Sequence, residues 1–187
     1  AAELAAMFEA LCARFTAWAE QELAHRGARD AALAGLQFPH VEFRPGQREL
    51  AETIFKANAG RRCLLAQAPT GIGKTVGSLF PVLKAAPLHQ IDKVFYLAAK
   101  TPGRQLALDA VAALRGPGKT IPLRVLELVA RDKACEHPDK ACHGDSCPLA
   151  KGFYDRLPAA RAQAVQGGPL DRATLREVAL AHDICPY

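Results

Sequence analysis

Arg62-Cys63-Leu64-Leu65-Ala66-Gln67-Ala68-Pro69-Thr70-Gly71-Ile72-Gly73-Lys74-Thr75 runs from an apolar stretch through a loop with two glycines to a Lys-Thr pair heading a helical pattern. This is the order of a P-loop: backbone N–H groups cradle phosphates, the lysine reaches the terminal phosphates, and the hydroxyl holds Mg²⁺. Ala68 stands where the usual pattern has its first glycine. The same A-x-x-x-x-G-K-T string recurs at Ala113–Thr120, so context must separate the two. The first copy follows an apolar run, and Thr75-Val76-Gly77-Ser78-Leu79-Phe80 continues as a helix whose N-terminal dipole faces the anion. The second follows a helical pattern and runs into Ile121-Pro122, where Pro122 disfavours helix at Ile121. Lys74 is therefore the expected nucleotide lysine, and Lys119 belongs to a loop.

Working outward, Arg62–Gln67 reads as a buried strand, and the helix from Lys74 to about Ala85 carries Pro81, which predicts a kink. Val94–Ala99 is a second unbroken apolar run, and Leu123–Val129 a third. Apolar strands alternating with helices predict a parallel sheet covered on both faces, with the ligand at the carboxyl ends of the strands. Upstream, Phe43-Arg44-Pro45-Gly46-Gln47 leads into a helix through Leu50 and Phe55. Ahead of Lys74, Phe43 is read as stacking on adenine and Gln47 as pairing with its N6 and N7 edge. Downstream, Lys100, Thr101, Arg104 and Gln105 open the next helix and can hold a second anion such as a nucleic-acid phosphate. At the start, Leu4, Phe8, Leu11, Phe15 and Trp18 recur every three or four residues, predicting a helix to about Arg26 that packs its stripe on the main body and breaks at Gly27; a coiled-coil partner helix stays open, though the run is short for one.

From Arg131 the character changes. Cys135, Cys142, Cys147 and Cys185 form C-x6-C-x4-C followed by a distant cysteine. Zinc modules favour closely paired C-x2-4-C ligands, whereas four thiolates and Cys-Pro steps suit an iron–sulphur cluster. Zinc stays open, with His137, His143 and His182 available as substitutes. Asp171 is a predicted N-cap for a last helix.

The 187 residues are half hydrophobic, with a net charge of +5, compatible with a polyanionic partner. No apolar run approaches the roughly 18 residues of a membrane span, and no signal peptide is evident. An opening on Ala1 and an ending on Cys185-Pro186-Tyr187 suggest a piece of a longer protein.

In this order, the P-loop and cysteines resemble the iron–sulphur helicases of superfamily 2, the XPD, FANCJ and DinG group, over roughly three quarters of the chain, Phe43 to Tyr187. Phe43–Gln47 is similar to their adenine-reading Q motif, Ala68–Thr75 (Ala68, Pro69, Thr70, Gly71, Ile72, Gly73, Lys74, Thr75) to motif I, and Tyr96–Gln105 to motif Ia, which touches single-stranded DNA. Arg131–Cys135 and Ile184–Tyr187 resemble the surroundings of the first and last cluster cysteines.

The resemblance implies an α/β fold: a RecA-like P-loop parallel sheet flanked by helices, with a small, mostly helical iron–sulphur insertion. It divides the chain into a helical segment at 1–40, the first part of the motor domain at 41–130 and the cluster domain at 131–187. It implies ATP, Mg²⁺ and a [4Fe–4S] cluster, 5′-to-3′ movement on single-stranded or forked DNA, and a cytoplasmic, in bacteria nucleoid-associated, setting. The family's Asp-Glu-x-His motif occurs nowhere in the 187 residues, so this chain alone is expected to bind nucleotide weakly and not to hydrolyse it efficiently. Two other classes stay open: an iron–sulphur or zinc-stabilised DNA-binding module, and a P-loop ATPase without unwinding activity.

Overall fold

The computed structural model describes residues 2–116 and 121–187 and divides into two compact units, Ala1–Pro122 and Leu123–Tyr187. In the first, α1 (Ala2–Ala34), α2 (Gln47–Ala59), α3 (Lys74–His89) and α4 (Thr101–Arg115) pack around α3, which touches the other three. The buried positions of α3 include Gly77, Leu79, Pro81, Leu83, Ala85 and Ala86. Pro81 lies inside a helix that runs on to His89; its ring removes one backbone donor without ending the element.

Only the C-terminal end of α1 is embedded. Leu33 and Leu36 are buried, and Lys84 Nζ of α3 donates to the carbonyls of Ala34 at 2.6 Å and Leu36 at 2.9 Å, satisfying groups that a helix end leaves without partners. The expected break at Gly27 does not occur, and the Leu4–Trp18 stripe, expected to pack on the body, is exposed.

The expected α/β sheet is not what forms. Among the described residues there is no β-strand, only an isolated parallel bridge between Leu126 and Leu170. The stretches 62–67 and 94–99 are irregular, and their apolar side chains stay uncovered: Leu65, Leu97 and Phe95 are 101%, 90% and 76% exposed. The error has a physical source. A run such as Leu64-Leu65 or Val94–Leu97 reports a tendency toward burial, but a strand also needs a neighbour about 4.8 Å away to receive its backbone hydrogen bonds. Helix-on-helix packing around α3 builds the core of the first unit instead, and no RecA-like parallel sheet forms among the described residues.

In the second unit, α5 (Arg131–Ala134) leads to Cys135, while α6 (Phe153–Gln166) and α7 (Arg172–Ala181) form a helical pair. Ala160, Ala179 and Ile184 make its small core, with Phe153 and Leu157 packed against them. The segment at 125–127 is tied to Leu170 by Glu127 N–H to the Leu170 carbonyl and Leu170 N–H to the Val125 carbonyl, both 2.8 Å. Asp171 caps α7 as expected, accepting from the Thr174 N–H at 2.8 Å. The second A-x-x-x-x-G-K-T string begins at the end of α4, and its residues 117–120, with Lys119, lie outside the described residues.

Candidate nucleotide site

The loop before α3 takes its shape from two glycines. Gly71 and Gly73 have φ of +84° and +79°, a region that L side chains rarely adopt. Gly73 is the N-cap of α3 and no side chain caps the helix, so its first-turn N–H groups remain available to an anion. Lys74, the first helical residue, is exposed, and its Nζ donates to the loop carbonyls of Ala68 at 3.1 Å and Pro69 at 2.9 Å. The ammonium is thus held against the loop that would wrap a phosphate. Thr75, next on the helix, is half-buried. Ile72 is buried, while Pro69 and Thr70 are exposed.

A latch from the preceding segment holds this loop. Gln47, 2% exposed, donates from Nε2 to the Gly73 carbonyl at 3.0 Å, and its Oε1 accepts from the Arg44 N–H at 3.1 Å. The Arg44 guanidinium donates to the Gly71 carbonyl. Gly46, with φ of +76°, turns the chain so closely over Ile72 that a Cβ there would lie 3.1 Å from Ile72 Cδ1. Both functional ends of the Gln47 amide are therefore engaged within the protein. Pairing with the adenine edge would require exchanging these bonds.

Phe43 stacks on Phe38 with centroids 3.8 Å apart, Phe80 meets both rings edge-on, and the Arg48 guanidinium lies over the Phe43 ring at 5.8 Å. With Phe55, Pro81 and Lys84, these rings line a groove of about 280 Å³. Arg44, Phe38 and Phe80 are the site residues that sequence reasoning missed. Arg44 was visible inside the Phe-Arg-Pro-Gly-Gln string but had no assigned role; nothing local marked Phe38 or Phe80.

The proposed DNA contacts lie at the start of α4. Lys100 is its N-cap, no side chain caps it, and Lys100, Thr101 and Gln105 are exposed. The Gln105 amide donates to Asp109 at 2.9 Å. Arg104, half-buried, sits in the same first turn.

In the second unit all four distal cysteines are free thiols, with Cys147 buried and Cys142 exposed. Burial pushes the Cys185 thiol up; a hydrogen bond from the Tyr187 backbone opposes this, and charge on Cys135, Cys147 and Cys142 adds to the rise. Among the described residues, no three His, Cys, Asp or Glu side chains are arranged to hold a metal ion. His143 Nε2 lies 3.2 Å from Ser146 Oγ, and His182 Nε2 lies 2.7 Å from Gln163 Oε1.

Residues 44–159 match the family model described as DEAD/DEAH box helicase, more than half of the chain. The chain belongs to the DEAD/DEAH box helicase family. The matched region begins at Arg44 of the latch and takes in the Lys74 loop and the start of α4. Family membership carries ATP-dependent, helicase-type function and nucleotide binding, which the Lys74 loop can serve. No curated protein and no solved structure matches the chain.

Proposed function

We propose that this chain carries the nucleotide-binding part of a DNA helicase of the iron–sulphur group, moving 5′-to-3′ on single-stranded DNA and separating forked duplexes. The observation that carries the motor reading is Lys74, set at the uncapped start of α3 beneath a loop bent at Gly71 and Gly73. Bound ATP would supply the phosphoanhydride bond whose hydrolysis to ADP and phosphate drives movement. Lys74 would leave the Ala68 and Pro69 carbonyls to meet the terminal phosphates, and the Thr75 hydroxyl would hold Mg²⁺. Arg44 and Gln47 occupy the loop carbonyls of Gly71 and Gly73 by donating to them. The strand would bind through its phosphates at Lys100, Thr101, Arg104 and Gln105, with salt-sensitive affinity. Without an Asp-Glu-x-His motif, this chain by itself binds nucleotide weakly and does not turn it over efficiently.

The cluster reading rests on Cys135, Cys142, Cys147 and Cys185. All four are free thiols of the second unit, and the pKa of Cys185 is raised first by burial and then by charge on the other three. Four thiolates beside Cys-Pro steps suit an iron–sulphur cluster better than a zinc module, whose ligands are closely paired. Bound there, a cluster would cross-link the Cys135–Cys147 segment to the residues that follow α7.

Two measurements test the reading. The full-length protein should separate a fork with a 5′ single-stranded tail in an ATP-dependent manner; unwinding only with a 3′ tail would contradict the polarity. Anaerobically purified protein should contain iron and labile sulphide with visible charge-transfer absorbance. Stoichiometric zinc without colour would refute the cluster.

A further inference from the structure

The N-terminal half of α1 presents an apolar stripe that nothing in its unit covers. Leu4, Met7, Phe8, Leu11, Phe15 and Trp18 are each 51–66% exposed. Steps of three and four residues carry the same face on through Glu22, Arg26 and Arg29 to the buried Leu33. The face that docks α1 on the body at one end therefore continues uncovered at the other, with the contacts of Arg26 and Arg29 to Asp92 at the boundary. Six large side chains on one helical stripe exceed the scattered exposed apolar residues expected on any surface.

We propose that this half of α1 pairs antiparallel with α1 of a second copy of the chain, about a two-fold axis at Leu11. The spacing of the stripe carries the inference. Its members at 4, 7, 11, 15 and 18 are symmetric about 11, so an antiparallel pair centred there sets Leu4 against Trp18, Met7 against Phe15, and Leu11 against itself. A two-fold interface needs this self-complementarity, because the same patch must fit its own inverted copy.

Charge placement agrees. In the same register Glu3 lies level with Ala19, Glu9 with Ala13, Glu20 with Ala2, and Arg14 with Phe8, whose ring face can receive a guanidinium. No two like charges meet. A parallel pair in register would put each of these charges level with its own copy, which is unfavourable. Residues 2–22 carry four carboxylates and the single Arg14, a balance that disfavours nucleic acid and anionic lipid as the covering partner.

The size is adequate for a reversible dimer. Aromatic side chains bury 150–250 Å² when fully covered, so at these exposures Phe8, Phe15 and Trp18 offer roughly 350 Å² per copy, and the smaller, similarly exposed Leu4, Met7 and Leu11 bring the total to roughly 600 Å². Two copies give about 1,200 Å², the lower edge of specific interfaces. The stripe spans about 21 Å of helix.

The test uses the whole 187-residue chain. Light scattering across concentration should show a monomer–dimer equilibrium, with Leu11→Glu weakening the dimer at least tenfold while helical circular dichroism is unchanged. A chain monomeric at every concentration overturns the proposal, as does a Leu11→Glu chain that dimerises like its parent. Mixing a Leu4→Cys chain with a Trp18→Cys chain under mild oxidation, followed by peptide mapping, should yield the 4-to-18 disulphide between copies. Predominant 4-to-4 and 18-to-18 disulphides would mean a parallel pair and would also overturn it. This readout does not depend on how the Leu11 variant folds.

Discussion

Gln47 Nε2 donates to the Gly73 carbonyl at 3.0 Å, tying the first residue of α2 to the N-cap of α3. The two positions are 26 residues apart in sequence, and the bond makes the shape of the loop before α3 depend on a side chain outside it. Gly73 is constrained twice, by a positive φ and by the Gln47 amide nitrogen, which a Cβ at that position would strike.

Gly73→Ala is therefore expected to destabilise the first unit by about 1–3 kcal/mol through the left-handed backbone alone, with the collision adding to it. The collision can be separated from the backbone strain. Adding Gln47→Ala removes the struck side chain, so the double variant should regain part of the loss and no more. Thermal or denaturant unfolding of the two single variants and the double gives the coupling. Strict additivity would show that the latch does not shape the loop.

In the second unit the Asp171 carboxyl is held below the ordinary aspartate range, first by the Thr174 N–H and then by the Thr174 hydroxyl. A lowered folded-state pKa means that the unfolded chain takes up the proton first. The contribution is complete above the ordinary aspartate value of about 3.9 and disappears as pH falls through the lower folded value. Glu136, held down by its hydrogen bonds to Arg176 at 2.6 and 2.7 Å, adds a contribution of the same sign. Asp171→Ala should cost about 1 kcal/mol at neutral pH. Asp171→Asn should keep the cap and show a shallower acid loss than the parent. Urea midpoints of α7 helicity at pH 7 and pH 3 provide the check, and parallel acid loss in parent and Asn variant would count against it.

On the proposed cluster reading, Cys135→Ser should abolish iron incorporation in anaerobic preparations while leaving the unfolding of the first unit unchanged, since the two units have separate cores. Iron content and the unfolding profile of the first unit, measured together, decide this. Retained iron would remove Cys135 from the ligand set, and concerted loss of the first unit would contradict the separation.

What was legible in the sequence was local. Gly71 and Gly73 announce a tight loop heading a helix because its two unusual φ angles are required within a few consecutive residues. Asp171 announces its cap for the same reason. The sheet was misread because Leu64-Leu65 and Val94–Leu97 record apolarity, and apolarity does not say whether a neighbouring strand exists. Gly27 was misread as a break because one glycine costs a helix only about 1 kcal/mol, which the rest of a 33-residue helix absorbs. The roles of Arg44, Phe38 and Phe80 stayed hidden, since each depends on a contact far along the chain.

The most direct test is ATP turnover by the full-length protein carrying Lys74→Ala, with single-stranded DNA binding measured on the same preparation. Loss of nearly all DNA-stimulated turnover, with DNA affinity largely retained, is the expected result. Unchanged turnover would contradict the assignment of Lys74 as the phosphate-binding lysine, and with it the motor reading of the loop.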